Sequence, residues 1–403
     1  MLGQKTLDQL LVFTRNTARW RMGPAQRFVS DAINVPSLQF NGVTTNPNGV
    51  LSEIAATNVA FPSMPRNPVG GEDTYYKVEN VNPLFEGGTQ QRRFISKGAG
   101  SPNMPPQNGF SWTTTIRQCC SLIVEIDPAS AAQVGSLSLT IYKINAPAAV
   151  VTSGSFSFAT GTFNKTGASG TATVGSAKLM DVGPNGGAVY LLWVTDLNAA
   201  GDTYGFYPYP VANNAAGHSI IIHHAQLEGG SLPTTPIVTT TAQGTRGQDL
   251  FLQPSLQKLA FNPNEGTVVV GFVRPQTPSS TRSLLEFGDG TLLNRFFLGI
   301  DAGGSVVSVS IANNITIANI ADVTGVGIGE RVKVALAYKV GQYRMSVNGR
   351  AVKSAAPAAV PVCDRFGLGG LNYGGNQSSC ELTEFDYIPQ FKDDPTLISL
   401  SSL

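Results

Sequence analysis

The sequence predicts an all-β chain: two jelly-roll-type β-sandwich domains in tandem, preceded by a short amino-terminal helical segment. Three observations carry this. Apolar residues fall in strand-length runs, Gly, Pro and Asn clusters separate the runs, and no long stretch keeps a helical period. The 403 residues exceed what one hydrophobic core usually serves, so two domains are expected. Charged residues make up only 13% of the chain, against 44 Gly and 25 Pro, which is the balance of a turn-rich β protein. The 42% hydrophobic share is enough to fill packed cores, so general disorder is not expected.

Residues 1–20 are read as a helix because Leu7, Leu10 and Leu11 recur at helical spacing with Asp8 in the first turn. So short a helix is unstable alone, and its leucines are assigned an attachment role. Residues 21–230 are read as the first sandwich. Gln118–Ile126, Ser136–Ile144, Ala188–Val194 and Ser219–Leu227 are its clearest strands, with Leu137, Leu139 and Ile141 alternating against Ser138, Thr140 and Tyr142. Turns are expected at Asp127-Pro128 and across Gly183-Pro184-Asn185-Gly186-Gly187. The Pro/Thr-rich stretch 231–248 is read as a linker. Residues 249–403 form the second sandwich, with strands at Gly266–Val273, Ser283–Phe287, Arg295–Ile300, Ser305–Ile311, Val332–Tyr338 and Tyr343–Val347. Asn348-Gly349 is the signature of a tight turn with positive φ at both positions.

Two sets of short motifs resemble bacteriophage fibre and spike proteins. At the junction stand Gln226-Leu227-Glu228-Gly229, the run Thr234-Thr235-Pro236, and Thr245-Arg246 followed by Asp249. Near the start stand Phe13-Thr14-Arg15, Asn34-Val35-Pro36, Gly49-Val50-Leu51-Ser52-Glu53 and Ala56-Thr57-Asn58. Val50 and Ser52 depart from the more apolar pair usual there. The hairpin Arg331–Tyr338 with Gly341–Gly349, and the late Asp386-Tyr387-Ile388-Pro389, resemble laminin-G-like domains. The resemblance implies a carbohydrate-module-like sandwich joined to a laminin-G/concanavalin-like one. It also implies a structural virion protein, a fibre or spike on tail or capsid, expected to be a homotrimer attached by its amino-terminal end. The alternative it leaves is a lectin-like binder of host-surface glycan, with a polysaccharide-degrading spike as a further reading.

The chemistry expected is that of a binding or structural protein, not of an enzyme. A formal net charge of +1 without a Lys/Arg-rich run lacks the footprint of a nucleic-acid binder, and Arg92-Arg93 are read as solvated surface. No apolar run approaches a membrane span, and the first residues lack the plan of a secretory signal, as expected if the resemblance holds and the chain is a virion-surface protein assembled in host cytoplasm. No Gly-x-Ser-x-Gly or His-Glu-x-x-His occurs. On a regular strand His223 and His224 would face opposite sides, one packed and one solvated, so no metal and no cofactor is expected. Glu286 with Asp289 or Asp301 is the acidic pair to test for glycoside chemistry, and Asp289, Asp301 and Asp322 are the carboxylates to test for calcium. Adjacent Cys119 and Cys120 should face opposite sides of a strand, and a hairpin could bring Cys363 and Cys380 together, bridged or not. Tyr204, Tyr207 and Tyr209 are the candidate glycan-stacking residues.

Overall fold

The computed structural model describes residues 76–85, 91–98, 107–111, 115–128, 136–143, 149–166, 172–199, 201–209, 216–230, 233–239, 242–246, 250–253, 256–274, 281–322, 329–368 and 380–403, single residues 130, 145, 326 and 327, and six short strands between 12 and 58. Their regular secondary structure is almost entirely antiparallel strand, with one α-helix, Asp394–Ser401.

The first sandwich packs a six-stranded sheet on a five-stranded one. In the first, Gln91–Ser96, Ser219–Gly229, Ile116–Ile126 and Val189–Asn198 lie side by side; in the second, Gln107–Ser111, Thr203–Tyr209, Ser136–Lys143 and Ala149–Ser157 do. Successive strands cross between sheets in the order of a jelly roll, as the sequence predicts. Leu137, Leu139 and Ile141 from one sheet meet Cys120, Leu122, Val124, Ile220, Ile222 and Leu227 from the other in a single buried core. The polar partners of these alternating strands, Ser138 among them, point away from it.

The second sandwich packs two seven-stranded sheets, one built around Glu265–Val273 and Arg331–Lys339, the other around Arg282–Gly288 and Arg295–Ile300. Its core is aromatic. Phe287 stacks on Phe296 with ring centroids 4.8 Å apart, and Tyr338 lies 4.8 Å from Phe296. The buried phenols are satisfied: Tyr338 donates to Asn262 O at 2.8 Å, and Tyr343 Oη meets Ser308 Oγ at 2.6 Å. The helix Asp394–Ser401 is started by Asp393, whose side chain accepts from Thr396 N at 3.1 Å. Its Leu397 packs on Val269, Ala335 and Ala337, small residues that let it seat closely on the outer face of the sheet.

The amino-terminal strands depart from the expected plan. Val12–Thr14 is a strand paired with Leu250–Leu252, and Arg19–Met22 pairs with Phe28–Asp31, so these parts of 1–20 are extended, not helical. Leu7, Leu10 and Leu11 lie outside the described residues. Ser37–Phe40 and Pro47–Ser52, expected in the first sandwich, hydrogen-bond instead into the second, where Val50 and Leu51 stand opposite Leu382 and Glu381. Three- to six-residue strands carry too little alternation to announce which sheet they join.

At Asn348-Gly349 both residues have positive φ, 50° and 69°, and Arg350 N donates to Val347 O at 3.1 Å. The turn is the expected one. A Cβ on Gly349 would lie 2.8 Å from Ser402 Oγ, so Gly349→Val combines strain with a clash. We expect it to destabilise the second sandwich by about 1 kcal/mol or more, read as a lower melting temperature; an unchanged melt would remove the energetic weight placed on this turn.

Candidate functional site

A dense group of buried polar side chains lies on the outer face of the six-stranded sheet, and a β-bulge creates it. Ile123 stands opposite His224 but Val124 stands opposite Ile222, so His223 is an extra residue in its strand. Ile220, Ile222, Ala225 and Leu227 face the core. The extra residue therefore brings His223 and His224 to the same outer face, followed there by Gln226 and Glu228. This corrects the expectation that the two imidazoles face opposite sides. Nor is either solvated: His223 is 0% and His224 2% exposed.

His223 is held at both ring nitrogens. Nε2 meets the Glu125 carboxylate at 2.9 Å, and Nδ1 meets the Gln91 side-chain oxygen, which also accepts from Leu84 N at 2.5 Å. Glu125 further accepts from Asn185 N at 2.9 Å, Gly187 N at 3.0 Å and Asn185 Nδ2 at 2.9 Å. The 183–187 turn can present these amides because Gly187 passes so close to Ile126 O that a Cβ would sit 1.7 Å from it. Burial alone would raise the pKa of Glu125, but His223, Asn185 and the Gly187 amide outweigh it and hold the carboxyl below its usual range. Burial lowers the pKa of His223, and Glu125 opposes this only in part.

One turn further along the same face, the junction motif closes on itself. Glu228 accepts from Gln226 Nε2 at 2.6 Å, from Thr234 N at 2.8 Å and from Thr234 Oγ1 at 2.7 Å. Gln226 Oε1 accepts from Ile237 N at 2.8 Å, and Arg246 Nη1 donates to Thr235 Oγ1 at 2.8 Å. Pro236, Ile237 and Thr239 are buried, as is Arg246. The stretch read as a linker thus includes a strap, residues 233–239, docked along Ser219–Gly229. It also includes Gly244–Arg246, which pairs with Ala56–Asn58. The two motif sets picked out at distant points of the sequence meet in this small sheet.

Beneath the strap Cys119, opposite Glu228, is as buried as Cys120, so both faces of this sheet are covered. Arg92 and Arg93 are likewise not free surface: Arg92 is 8% exposed, and Arg93 Nε lies 2.7 Å from Asp127 Oδ2. Cys363 and Cys380 are free thiols, not a bridge. Burial raises both pKa values, that of Cys380 to about 12.

The acidic residues of the second sandwich are mostly committed to turns. Asp289 accepts from Thr291 N at 2.7 Å, Thr291 Oγ1 at 2.6 Å and Asn294 Nδ2 at 2.9 Å, while Asp301 Oδ1 accepts from Gly303 N and Ser305 N, each at 2.8 Å. Asp322 lies 3.2 Å from Arg350. Among the described residues no group of three or more His, Cys, Asp or Glu is placed to hold a metal ion. Glu286 differs. It is fully buried, its carboxylate lies 3.6 Å from Arg295 Nη1, and neither oxygen has a hydrogen-bond partner. Burial pushes its pKa up to about 7, against the pull of Arg295.

Tyr204, Tyr207 and Tyr209 lie in Thr203–Tyr209, an inner strand of the five-stranded sheet. Their backbones stand opposite Lys143, Thr140 and Ser138, so Tyr207 and Tyr209 share one parity of the strand and Tyr204 takes the other. Their side chains lie outside the described residues. The Glu125, Gln91 and Arg246 contacts were missed in the sequence. The signal available was a lone Glu in the apolar run Ser121–Ile126, which a strand buried on both faces must supply with donors.

No family model matches the chain, and no curated protein does. Among solved structures, the carbohydrate-binding module CBM40 of the Ruminococcus gnavus IT-sialidase, bound to α2,3-sialyllactose, is similar over 35% of this chain and 84% of its own, with 21% identity and a TM-score of 0.30. A heptameric SAP-like pentraxin from Limulus polyphemus covers 34% of this chain and 70% of its own at 12% identity and TM-score 0.29. The enzymatically active domain of bacteriophage CBA120 tailspike protein 2 covers 40% and 27% at 13% identity and TM-score 0.31.

Two buried groups, one in each sandwich, contribute opposite pH responses. Burial depresses the pKa of His224 from 6.5 to about 4, so this group contributes no penalty above 6.5 and destabilises the first sandwich as pH drops toward 4, while buried Glu228, whose pKa burial raises, acts in the opposite sense. Glu286 is raised from 4.5 to about 7, so the folded second sandwich favours the protonated acid and loses stability as pH rises from 4.5 to 7. The His224 and Glu286 effects are each on the order of 3 kcal/mol. Thermal melts across pH 4–8 should show the first slope flattened by His224→Phe and the second by Glu286→Gln; a slope unchanged in its own variant would refute that assignment. Glu228→Ala strands the Thr234 amide and hydroxyl and should cost about 1–3 kcal/mol, with faster protease cleavage within 233–239.

Proposed function

We propose that the chain is a structural protein displayed on a bacteriophage particle, a fibre or spike whose sandwiches serve host attachment. The observation that carries this reading is the junction. Gln226, Glu228, Thr234 and Arg246 form one hydrogen-bonded unit, and Gly244–Arg246 pairs with Ala56–Asn58. The residues on which the resemblance to phage fibre and spike proteins rests are therefore mutually dependent, as a shared structural joint requires. Low charge and all-β sandwiches suit a protein exposed on a particle.

The amino-terminal end attaches the chain in this proposal, through Leu7, Leu10 and Leu11. The triple Leu→Ser variant should keep its β circular dichroism yet be absent from virions in which it is the sole copy, as judged by mass spectrometry of purified particles. Normal incorporation would refute the attachment role, and absence of the wild-type chain from particles would refute the virion reading itself.

Host-surface glycan is the ligand class we propose for the first sandwich. Tyr207 and Tyr209 occupy alternate positions of one strand, Tyr209 opposite the half-buried Ser138, a spacing that sets two aromatic residue types with polar handles on one side of the strand. On a glycan array the wild-type chain should bind a restricted set of glycans saturably, and Tyr207→Ala with Tyr209→Ala should reduce that binding at least tenfold. Binding unaltered by the double variant would exclude these residues as the sugar platform.

A further inference from the structure

Val189–Asn198 sends its side chains alternately to the two sides of the six-stranded sheet. Leu192 and Val194 enter the core, so Leu191, Trp193 and Thr195 lie on the outer face, the one that carries the strap. Trp193 stands opposite Gly175 on one neighbouring strand and opposite Ser121 on the other. Ser121 stands in turn opposite Gln226, where Ile237 N fastens the strap. Trp193 therefore lies two strands away from that bond.

The indole is not packed away as its neighbours are. Leu192, Val194 and Thr195 are buried, whereas Trp193 is partly exposed. It is laid across Gly175: a Cβ there would sit 2.2 Å from Trp193 Cζ2 and 2.5 Å from Cε2. The missing side chain backs part of the ring with main chain and leaves the rest to solvent. Its N–H has no hydrogen-bond partner among the described residues, yet it is not a buried orphan. A tryptophan that serves only a core ordinarily spends both ring and N–H inside.

The surroundings of the ring are neutral and hydroxyl-bearing. Thr195 follows on the same face with Thr173 opposite it, and their Oγ1 atoms are 2.6 Å apart. That contact uses one of the two hydroxyl protons, and Thr173 is exposed, so the pair keeps both a donor and acceptor sites for a ligand. The charges nearby are distant or spent. Glu228 is 0% exposed and accepts from Gln226 and Thr234. Lys178, opposite Tyr190, is bonded to Asp181. Arg117 stands opposite Leu197, four residues from Trp193 and so about 13 Å along the strand.

We propose that Trp193 is the floor of a binding site for a neutral sugar ring, with its indole N–H and the Thr173 hydroxyl as polar contacts. A pyranose presents a face of C–H groups and a rim of hydroxyls. The first matches a partly open indole, and the second matches a single N–H donor together with a hydroxyl about 7 Å along the strand. No cation faces the ring to reward an acidic sugar, and no carboxylate is open to a cationic ligand. The site rests on the glycan reading given above for its ligand class. It lies, however, on the sheet opposite to that of Tyr207 and Tyr209, so the two are separable.

The test is fluorine NMR of the full chain labelled with fluorotryptophan, its three tryptophan signals assigned with Trp193→Phe. In titrations with lactose, triacetylchitotriose and maltotriose, at least one sugar should shift the Trp193 signal saturably and leave the other two in place, and trigalacturonate should not compete. Trp193→Ala should weaken that binding at least tenfold with the β circular dichroism kept, while Tyr207→Ala with Tyr209→Ala should leave it intact. Should Trp193→Ala fail to fold, the titration of the wild type decides alone. A sugar that binds without moving the Trp193 signal would overturn this site and leave the glycan reading standing; absence of any sugar binding would overturn both. A shift produced by decaproline but by none of the sugars would assign the ring to a peptide partner, and preference for trigalacturonate would overturn the neutral class.

Discussion

A carboxylate buried at Glu228 is the constraint on which the junction depends. Left without donors there it would cost several kcal/mol, and its own strand supplies only Gln226 from two residues away. The remaining donors are the amide and hydroxyl of Thr234. The chain must therefore turn back at Gly229-Gly230 and run along the sheet it has just left. That return covers the outer face, brings Ile237 to the oxygen of Gln226 and sets Arg246 where it bonds Thr235. Prolines in this stretch help, since Pro233 and Pro236 remove two backbone donors that would otherwise need partners. The junction is consequently a seam of specific bonds.

The same logic accounts for the sheet below it. Ser219–Gly229 is buried on both faces, a state in which alternate polar residues would ordinarily be excluded. They are tolerated because each finds a partner: His223 in Glu125 and Gln91 of the neighbouring strands, Gln226 in the strap, while Glu125 is itself held by the 183–187 turn. A small apolar cluster of Leu84, Phe85, Ile123, Met180 and Val189 fills the rest of that face. The second sandwich solves its closure differently. Its sheets take in strands from residues 12–14, 37–40 and 47–52 as well as from 250 onward, so they are completed by pairings of very long sequence separation. Loop-closure entropy makes such pairings late and slow to form.

How far the sequence could be read followed from strand length and regularity. Arg295–Ile300 was placed with its observed bounds, and Glu265–Val273, Arg331–Lys339 and Ser219–Gly229 within one or two residues, because long apolar runs bounded by turn residues leave little choice. Asn348-Gly349 was legible because only a few residue pairs accept positive φ twice in succession. Asn313-Asn314 makes an equally tight turn but was not singled out. The bulge at His223 was not legible at all. Alternation assigns faces only while each residue has one partner, and a single inserted residue reverses every assignment beyond it. The amino-terminal strands failed for another reason: the spacing of Leu7, Leu10 and Leu11 suggested a helix where the adjoining Val12–Thr14 is recruited into a distant sheet, and tertiary pairing overrides local pattern.

Scarcity of charge gives the remaining charges meaning. With 13% of residues charged, this chain has few to place, and most of those in the sandwiches have identifiable tasks. Asp289 and Asp301 shape turns, Arg93 and Asp127 brace a strand end, Glu125 and Glu228 anchor covering segments, and Lys77, Lys165, Lys178 and Lys353 sit on sheet edges. Against that background Glu286 is informative, a buried acid with no hydrogen bond and a guanidinium 3.6 Å away. Removing either partner alone would leave the other buried and unpaired, which is the costlier state. Burial of Glu286 therefore works against ionisation of the acid despite the nearby guanidinium, and protonation relieves its desolvation.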